Sequence, residues 1–230
     1  MDKYSEFDLS QVFEKLLASS SVLDFDAVFS EVPSVQGVPD YVGIRFKSGS
    51  SFDRHMPQVD SEYLSSASLI LSNIKRNAFR TEQYIISKTG LSRKTVRKTI
   101  NHLLGKQILE CDLSGNRYRL NVLFSIPNIE ITAFELKIHD WKRAAFQALR
   151  YRAFANYSII VLPNDKRNLI LANLEFLQSV NIGVFLIDYE NEKIEVLFKP
   201  KKCMPTSKLY TLYMQGQLLG KFRRKERVRY

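Results

Sequence analysis

The stretch from residue 129 to 154, IEITAFELKIHDWKRAAFQALRYRAF, requires a strand to end and a helix to begin within a few residues. Ile129, Ile131 and Ala133, then Leu136 and Ile138 after a break at Phe134, recur at close to period two, the alternation of a β-strand. Glu135 and Lys137 therefore project from one face at the end of that strand. Asp140 has the position and the side chain of an N-cap for a helix from Trp141 to Phe154, on which Gln147 and Tyr151, four apart, share a face. A carboxylate, an ammonium, an amide and a phenol are brought to one strand–helix junction.

The rest of the chain supplies a sheet for this junction to belong to. LSQVFEKLLASS, which carries Glu14, reads as a helix, and DFDAVFSEV at 24–32 as a strand. A turn at Gly37 to Pro39 then leads into a strand from Asp40 to Phe46. After the Trp141–Phe154 helix, YSIIVLP at 157–163 is a short apolar run suited to a buried parallel strand. Residues 166–180 read as an amphipathic helix, and GVFLIDYENEKIEVLFKP as two strands joined at Glu190–Asn191. The expected order is αβββαβ around a central mixed sheet, an α/β fold, with further strands extending the sheet.

Between the Asp40 strand and the Glu135 strand the pattern changes. Residues 47–66 read as a linker. Three helical patterns follow, ASLILSNIKRN, TEQYIISKTG with Gly90 as its stop, and LSRKTVRKTINHLLG with Ser92 as N-cap and Gly105 as its close. In the third, Val96, Ile100, Leu103 and Leu104 form the apolar stripe, and Arg93, Lys94, Arg97, Lys98 and Asn101 lie off it. Two short strands around Ser114–Gly115–Asn116 then carry Arg117 and Arg119. Charge follows the same division. Residues 61–121 hold 11 Lys/Arg against 4 Asp/Glu, and the last ten residues 6 against 1, whereas the whole chain is only +10. Cation concentrated in one segment and one tail is the footprint of a phosphate-binding surface. This segment resembles a winged helix-turn-helix, which implies double-stranded DNA as partner, with Arg93, Lys94, Arg97, Lys98 and Asn101 at the major groove and Arg117 and Arg119 at a neighbouring backbone.

Glu-x-Lys at a strand end followed by Gln-x-x-x-Tyr on the next helix, with Pro39–Asp40 opening an earlier strand, resembles the PD-(D/E)XK nuclease superfamily and its QxxxY branch. The resemblance implies a restriction-endonuclease-like core interrupted by the winged helix, and metal-dependent hydrolysis of DNA phosphodiesters. It implies Asp40, Glu135 and the Leu136 carbonyl as ligands of Mg²⁺ or Mn²⁺, and Lys137 as the group that orients water or meets developing charge. Gln147 and Tyr151 would position phosphate or water, and Glu14 would be the acid of the opening helix. The implied division is 1–60 with 122–205 for the nuclease-like domain, 61–121 for the winged helix, and 206–230 for a helix and basic tail.

Other classes are disfavoured. No apolar run approaches the ~20 residues of a membrane span, and the start, MDKYSEFDLS, is acidic and polar, so neither a span nor a signal peptide is expected and the expected location is cytoplasmic. Cys111 and Cys203 are isolated, and His55, His102 and His139 have no ligand spacing, which argues against structural zinc and a disulfide framework. A DNA-binding regulator with a degenerate nuclease-like scaffold is the competing expectation. A homodimer and a larger nuclease complex are both compatible with the chain.

Overall fold

The computed structural model describes residues 5–19, 23–47, 51–52 and 57–224. A reciprocal cap opens the first helix: the Ser5 hydroxyl accepts from Asp8 N–H at 3.2 Å, and the Asp8 carboxylate from Ser5 N–H at 2.7 Å. In chain order the elements are α1 (Glu6–Ser19), β1 (Ala27–Ser30), β2 (Tyr41–Phe46), α2 (Leu64–Asn73), β3 (Arg80–Thr81), α3 (Glu82–Thr89), α4 (Arg93–Gly105), β4 (Leu109–Cys111) and β5 (Arg117–Leu120). They continue with β6 (Ile129–Leu136), α5 (Trp141–Tyr151), β7 (Tyr157–Pro163), α6 (Arg167–Leu171), α7 (Leu174–Ser179), β8 (Gly183–Asp188), β9 (Lys193–Phe198) and α8 (Lys208–Arg223).

The chain divides into two units. The first takes the described residues up to 47 together with 129–206, and the second those from 51 to 128 together with 207–224. This differs from the expected 61–121 and 206–230: the second unit is longer at both ends, and α8 belongs to it instead of standing apart. Small residues explain the association, since Gly216 of α8 leaves room for Leu64 of α2, whose Cδ1 lies 2.4 Å from where a Cβ would be. The basic tail beyond Arg224, and residues 48–50 and 53–56 of the expected 47–66 linker with His55 among them, lie outside the described residues.

The first unit is α/β, with a mixed sheet ordered β1-β2-β6-β7-β8-β9. β1, β2 and β6 are antiparallel neighbours, β6, β7 and β8 run parallel, and β9 closes the edge antiparallel. All eight residues of β6 are buried, because helices cover both faces of the sheet. Leu9, Phe13, Leu16 and Leu17 of α1 pack on Phe134, Leu136, Val161 and Phe185. Trp141, Ala144 and Ala148 of α5, with Ile170 and Leu177, pack on Ile160, Leu162, Val184 and Leu186 of the other face.

Local chemistry moves several boundaries from those the periodicity suggests. The single helix expected at 166–180 is two, because the Asn173 amide donates to Leu169 O at 2.8 Å, taking the carbonyl its own N–H would use, and that N–H turns to Ile170 O at 3.0 Å. The helix expected at 67–77 is α2, which starts at Leu64 and stops at Asn73, where the side chains of Ser72 and Asn73 both bind Leu69 O. α5 ends at Tyr151, not Phe154, whereas α4 closes at Gly105 as expected, with the chain turning away through Gln107 at φ 57°.

The chain enters and leaves the first unit beside two buried polar residues. Glu130 takes Lys47 at 2.8 Å and also Lys202, and Asn156 accepts from Ile131 N–H at 2.9 Å while donating to Cys203 O at 3.1 Å. Asn156→Ala leaves a buried N–H and a half-buried carbonyl without their partners, so we expect a loss of about 2 kcal/mol. Urea unfolding monitored by Trp141 fluorescence checks this, and an unchanged midpoint would count against it.

The second unit places α2, α3 and α4 around Ile70, Ile74, Ile85, Val96, Ile100 and Leu103. Its sheet is ordered β3-β5-β4, so the expected hairpin gains a third strand, β3, immediately before α3. In α4, Val96, Ile100 and Leu103 are buried as the stripe requires, but Thr99 replaces Leu104 as the fourth, its hydroxyl 2.8 Å from that of Ser66.

Candidate functional site

β2 and β6 pair with Tyr41 opposite Phe134, so one further step sets Asp40 across from Glu135 and Pro39 across from Leu136. Residues 95 positions apart in the chain thereby meet at one end of two hydrogen-bonded strands. The Asp40 carboxylate accepts from Leu136 N–H at 2.7 Å. In an antiparallel pair the carbonyl of the same residue faces the same neighbour, and there Pro39 has no N–H to offer. The Leu136 carbonyl is thus left without a backbone donor from β2.

Glu135 is buried, 2 % exposed. Its Oε2 accepts from the Tyr151 hydroxyl at 2.6 Å, and its Oε1 lies 3.8 Å from Lys137 Nζ. Burial, reinforced by the negative charge of Asp40, pushes its pKa up to about 7 against the pull of Tyr151 and Lys137. Asp40 is raised as well, first by burial; the Leu136 N–H and Lys137 oppose this, and Glu6 and Glu31 add to it. Two carboxylates that each resist ionisation side by side leave a deficit of positive charge.

Tyr151 is fully buried, so what it positions is the Glu135 carboxylate, not a group in solvent. Its hydroxyl is also 3.2 Å from Val38 O, a carbonyl presented by the turn in which Gly37 has φ 120°, a conformation open to glycine. Burial and Glu135 raise the Tyr151 pKa, and the Gln147 side chain pulls the other way. Gln147 Oε1 is itself buried without a hydrogen-bond partner among the described residues.

The acid of α1 nearest the lysine is Glu6, which the sequence reading did not single out. Lys137 Nζ is 3.2 Å from Glu6 Oε1. Glu14 stands two turns further along, and Glu6, Ser10 and Glu14, spaced four apart, share the helix face that lines a cavity of about 350 Å³ with Glu31, Asp40 and Leu136. That spacing was the available signal for Glu6; what hid it is that its partner is 131 residues away. Among the described residues no group of three or more His, Cys, Asp and Glu side chains could hold a metal ion.

In the second unit the seven expected contact residues fall into two kinds. Arg93 and Arg97 both reach Glu82, at 3.4 and 2.8 Å, Arg117 pairs with Asp112 at 2.7 Å, and Arg119 with Glu110 at 2.6 Å. Lys94, Lys98 and Asn101 are exposed on α4. Among the described residues no helix is long and apolar enough to cross a membrane. No family model matches the chain, no curated protein is similar to it, and no solved structure matches its fold.

Proposed function

We propose that the chain is a divalent-metal-dependent DNA endonuclease of the PD-(D/E)XK type, with a restriction-endonuclease-like first unit and a winged-helix second unit that grips the duplex. The observation that carries this reading is the meeting of Asp40, Glu135 and Lys137 at the end of two paired strands. The donors fit Mg²⁺, which is held through one or two carboxylates and completed by water and phosphate oxygens, so a cage of three acidic side chains is not needed. Asp40, Glu135 and the open Leu136 carbonyl would hold it, or Mn²⁺ through the same oxygens. When bound, such an ion offsets phosphate charge and makes a bound water more acidic.

The chain's own groups do the rest. Tyr151 fixes the orientation of Glu135, and the Leu136 N–H fixes Asp40. Lys137, tethered by Glu6 and only 18 % exposed, places an ammonium beside the carboxylates, where it can orient water and meet negative charge as it develops on a scissile phosphate. The Gln147 oxygen, buried and without a hydrogen-bond partner among the described residues, would take its donor from a water held inside the fold.

The test is incubation of the purified protein with supercoiled, linear and single-stranded DNA in Mg²⁺, Mn²⁺ or EDTA. Nicking or linearisation with either ion and none in EDTA is expected. Inertness on every form with every ion would overturn the proposal in favour of a DNA-binding regulator.

A further inference from the structure

The basic face of the second unit is not uniformly available. Arg97 donates through Nε to Glu82 Oε2 at 2.8 Å, and Arg93 Nε lies 3.4 Å from the other oxygen of the same carboxylate. Glu82 is the less exposed partner, at 22 % against 62 % for Arg97. It is also held firmly. It is the first residue of α3, directly after β3, and Thr81 caps the helix by accepting from Tyr84 N–H at 3.2 Å.

An arginine held through Nε keeps its two terminal nitrogens as a planar pair of donors facing outward. That pair matches the O6 and N7 acceptors of guanine in the major groove. Arg93 uses one of its terminal nitrogens on Gln83 Oε1, at 3.5 Å, whereas those of Arg97 have no partner among the described residues. Lys94 and Lys98, as flexible point charges, suit phosphate, which carries no sequence information. On the reading that this unit binds duplex DNA, we infer that Glu82 is a positioning residue that presents Arg97 as a reader of guanine, with Lys94 and Lys98 supplying the sequence-independent grip. The hairpin arginines, Arg119 held by Glu110 of the facing strand and Arg117 by Asp112 of the turn, add shape more than charge.

The test uses the full chain and duplexes with a randomised central segment, selected by binding and sequenced. Wild type is expected to enrich guanine at one position, and 7-deazaguanine there to weaken binding about tenfold. R97K, which keeps the charge and removes the planar pair, is expected to lose both effects while its log–log salt slope changes by less than about one. E82A is expected to lose them too, and E82Q, which keeps an acceptor for Nε and the shape of the side chain, to lose them in part. The K94A/K98A double variant is expected to keep the guanine preference and lower the slope by about two. A guanine preference undiminished in R97K or in E82Q overturns the inference, whatever the folding of E82A. A wild type with salt-dependent affinity but no base preference overturns it as well, whereas one that does not bind the pool fails at the duplex-binding reading beneath it.

Discussion

Lys137→Ala is expected to lower strand cleavage by about three orders of magnitude while leaving duplex affinity within about twofold. One ammonium among 34 basic residues contributes little to the field that draws in DNA. Its place is what matters: it lies 3.8 Å from Glu135 in a cluster with Glu6 and Asp40. Its loss also removes a charge that favours the ionised forms of Glu135 and Asp40, so any remaining cleavage should have its acid limb moved to higher pH. Asp40→Asn is expected to be as inactive for a different reason. It weakens the hold on the ion, so raising Mg²⁺ or supplying Mn²⁺ should restore part of its activity and none of that of the lysine variant. Cleavage rates across metal concentration and pH for the three proteins decide this, and equal rescue of both variants would refute the separation of roles.

The sequence carried the junction and missed how it is supported. Period-two spacing over Ile129–Ile138 and the Asp140 cap placed β6 and α5, and the cap is seen in the Arg143 N–H donated to Asp140 at 2.9 Å. Those signals are local, as are the Ser92 cap of α4 and Gly90 at φ 69° after α3. What escaped depends on partners remote in sequence. Glu6 matters only because α1 begins beside Lys137, and Tyr151, expected to position phosphate or water, is fully buried and holds Glu135 instead. The cationic patterns of α4 and the hairpin were legible as charge, but not as charge already partly offset by Glu82, Glu110 and Asp112. Composition counts ions and cannot pair them. α8 was set apart because its chain neighbours are in the first unit, and only packing against α2 through Gly216 assigns it to the second.

Mg²⁺ is expected to stabilise the first unit strongly at pH 8 and weakly at pH 5, and Glu135→Gln to reproduce that stabilisation without metal. The sign follows from the direction of the shift. The Glu135 pKa rises from an ordinary 4.5 to about 7 in the fold, so the folded state binds the proton more tightly than the unfolded chain does. The stability linked to that proton is complete below pH 4.5 and is lost as pH rises through about 7, a difference on the order of 3 kcal/mol. A divalent cation bound to the ionised pair supplies at high pH what the proton supplies at low pH. Glutamine removes the charge and keeps an oxygen to accept from Tyr151, so the variant should show a flat pH profile over that range, unfold roughly 6–10 °C above the metal-free wild type at pH 8 and gain little from Mg²⁺. Thermal unfolding followed by Trp141 fluorescence from pH 5 to 8, with Mg²⁺ or EDTA, measures all of this. A Glu135→Gln protein no more stable than wild type at pH 8, and stabilised by Mg²⁺ to the same extent, would remove Glu135 from the metal site and with it the main support for hydrolysis at this strand end.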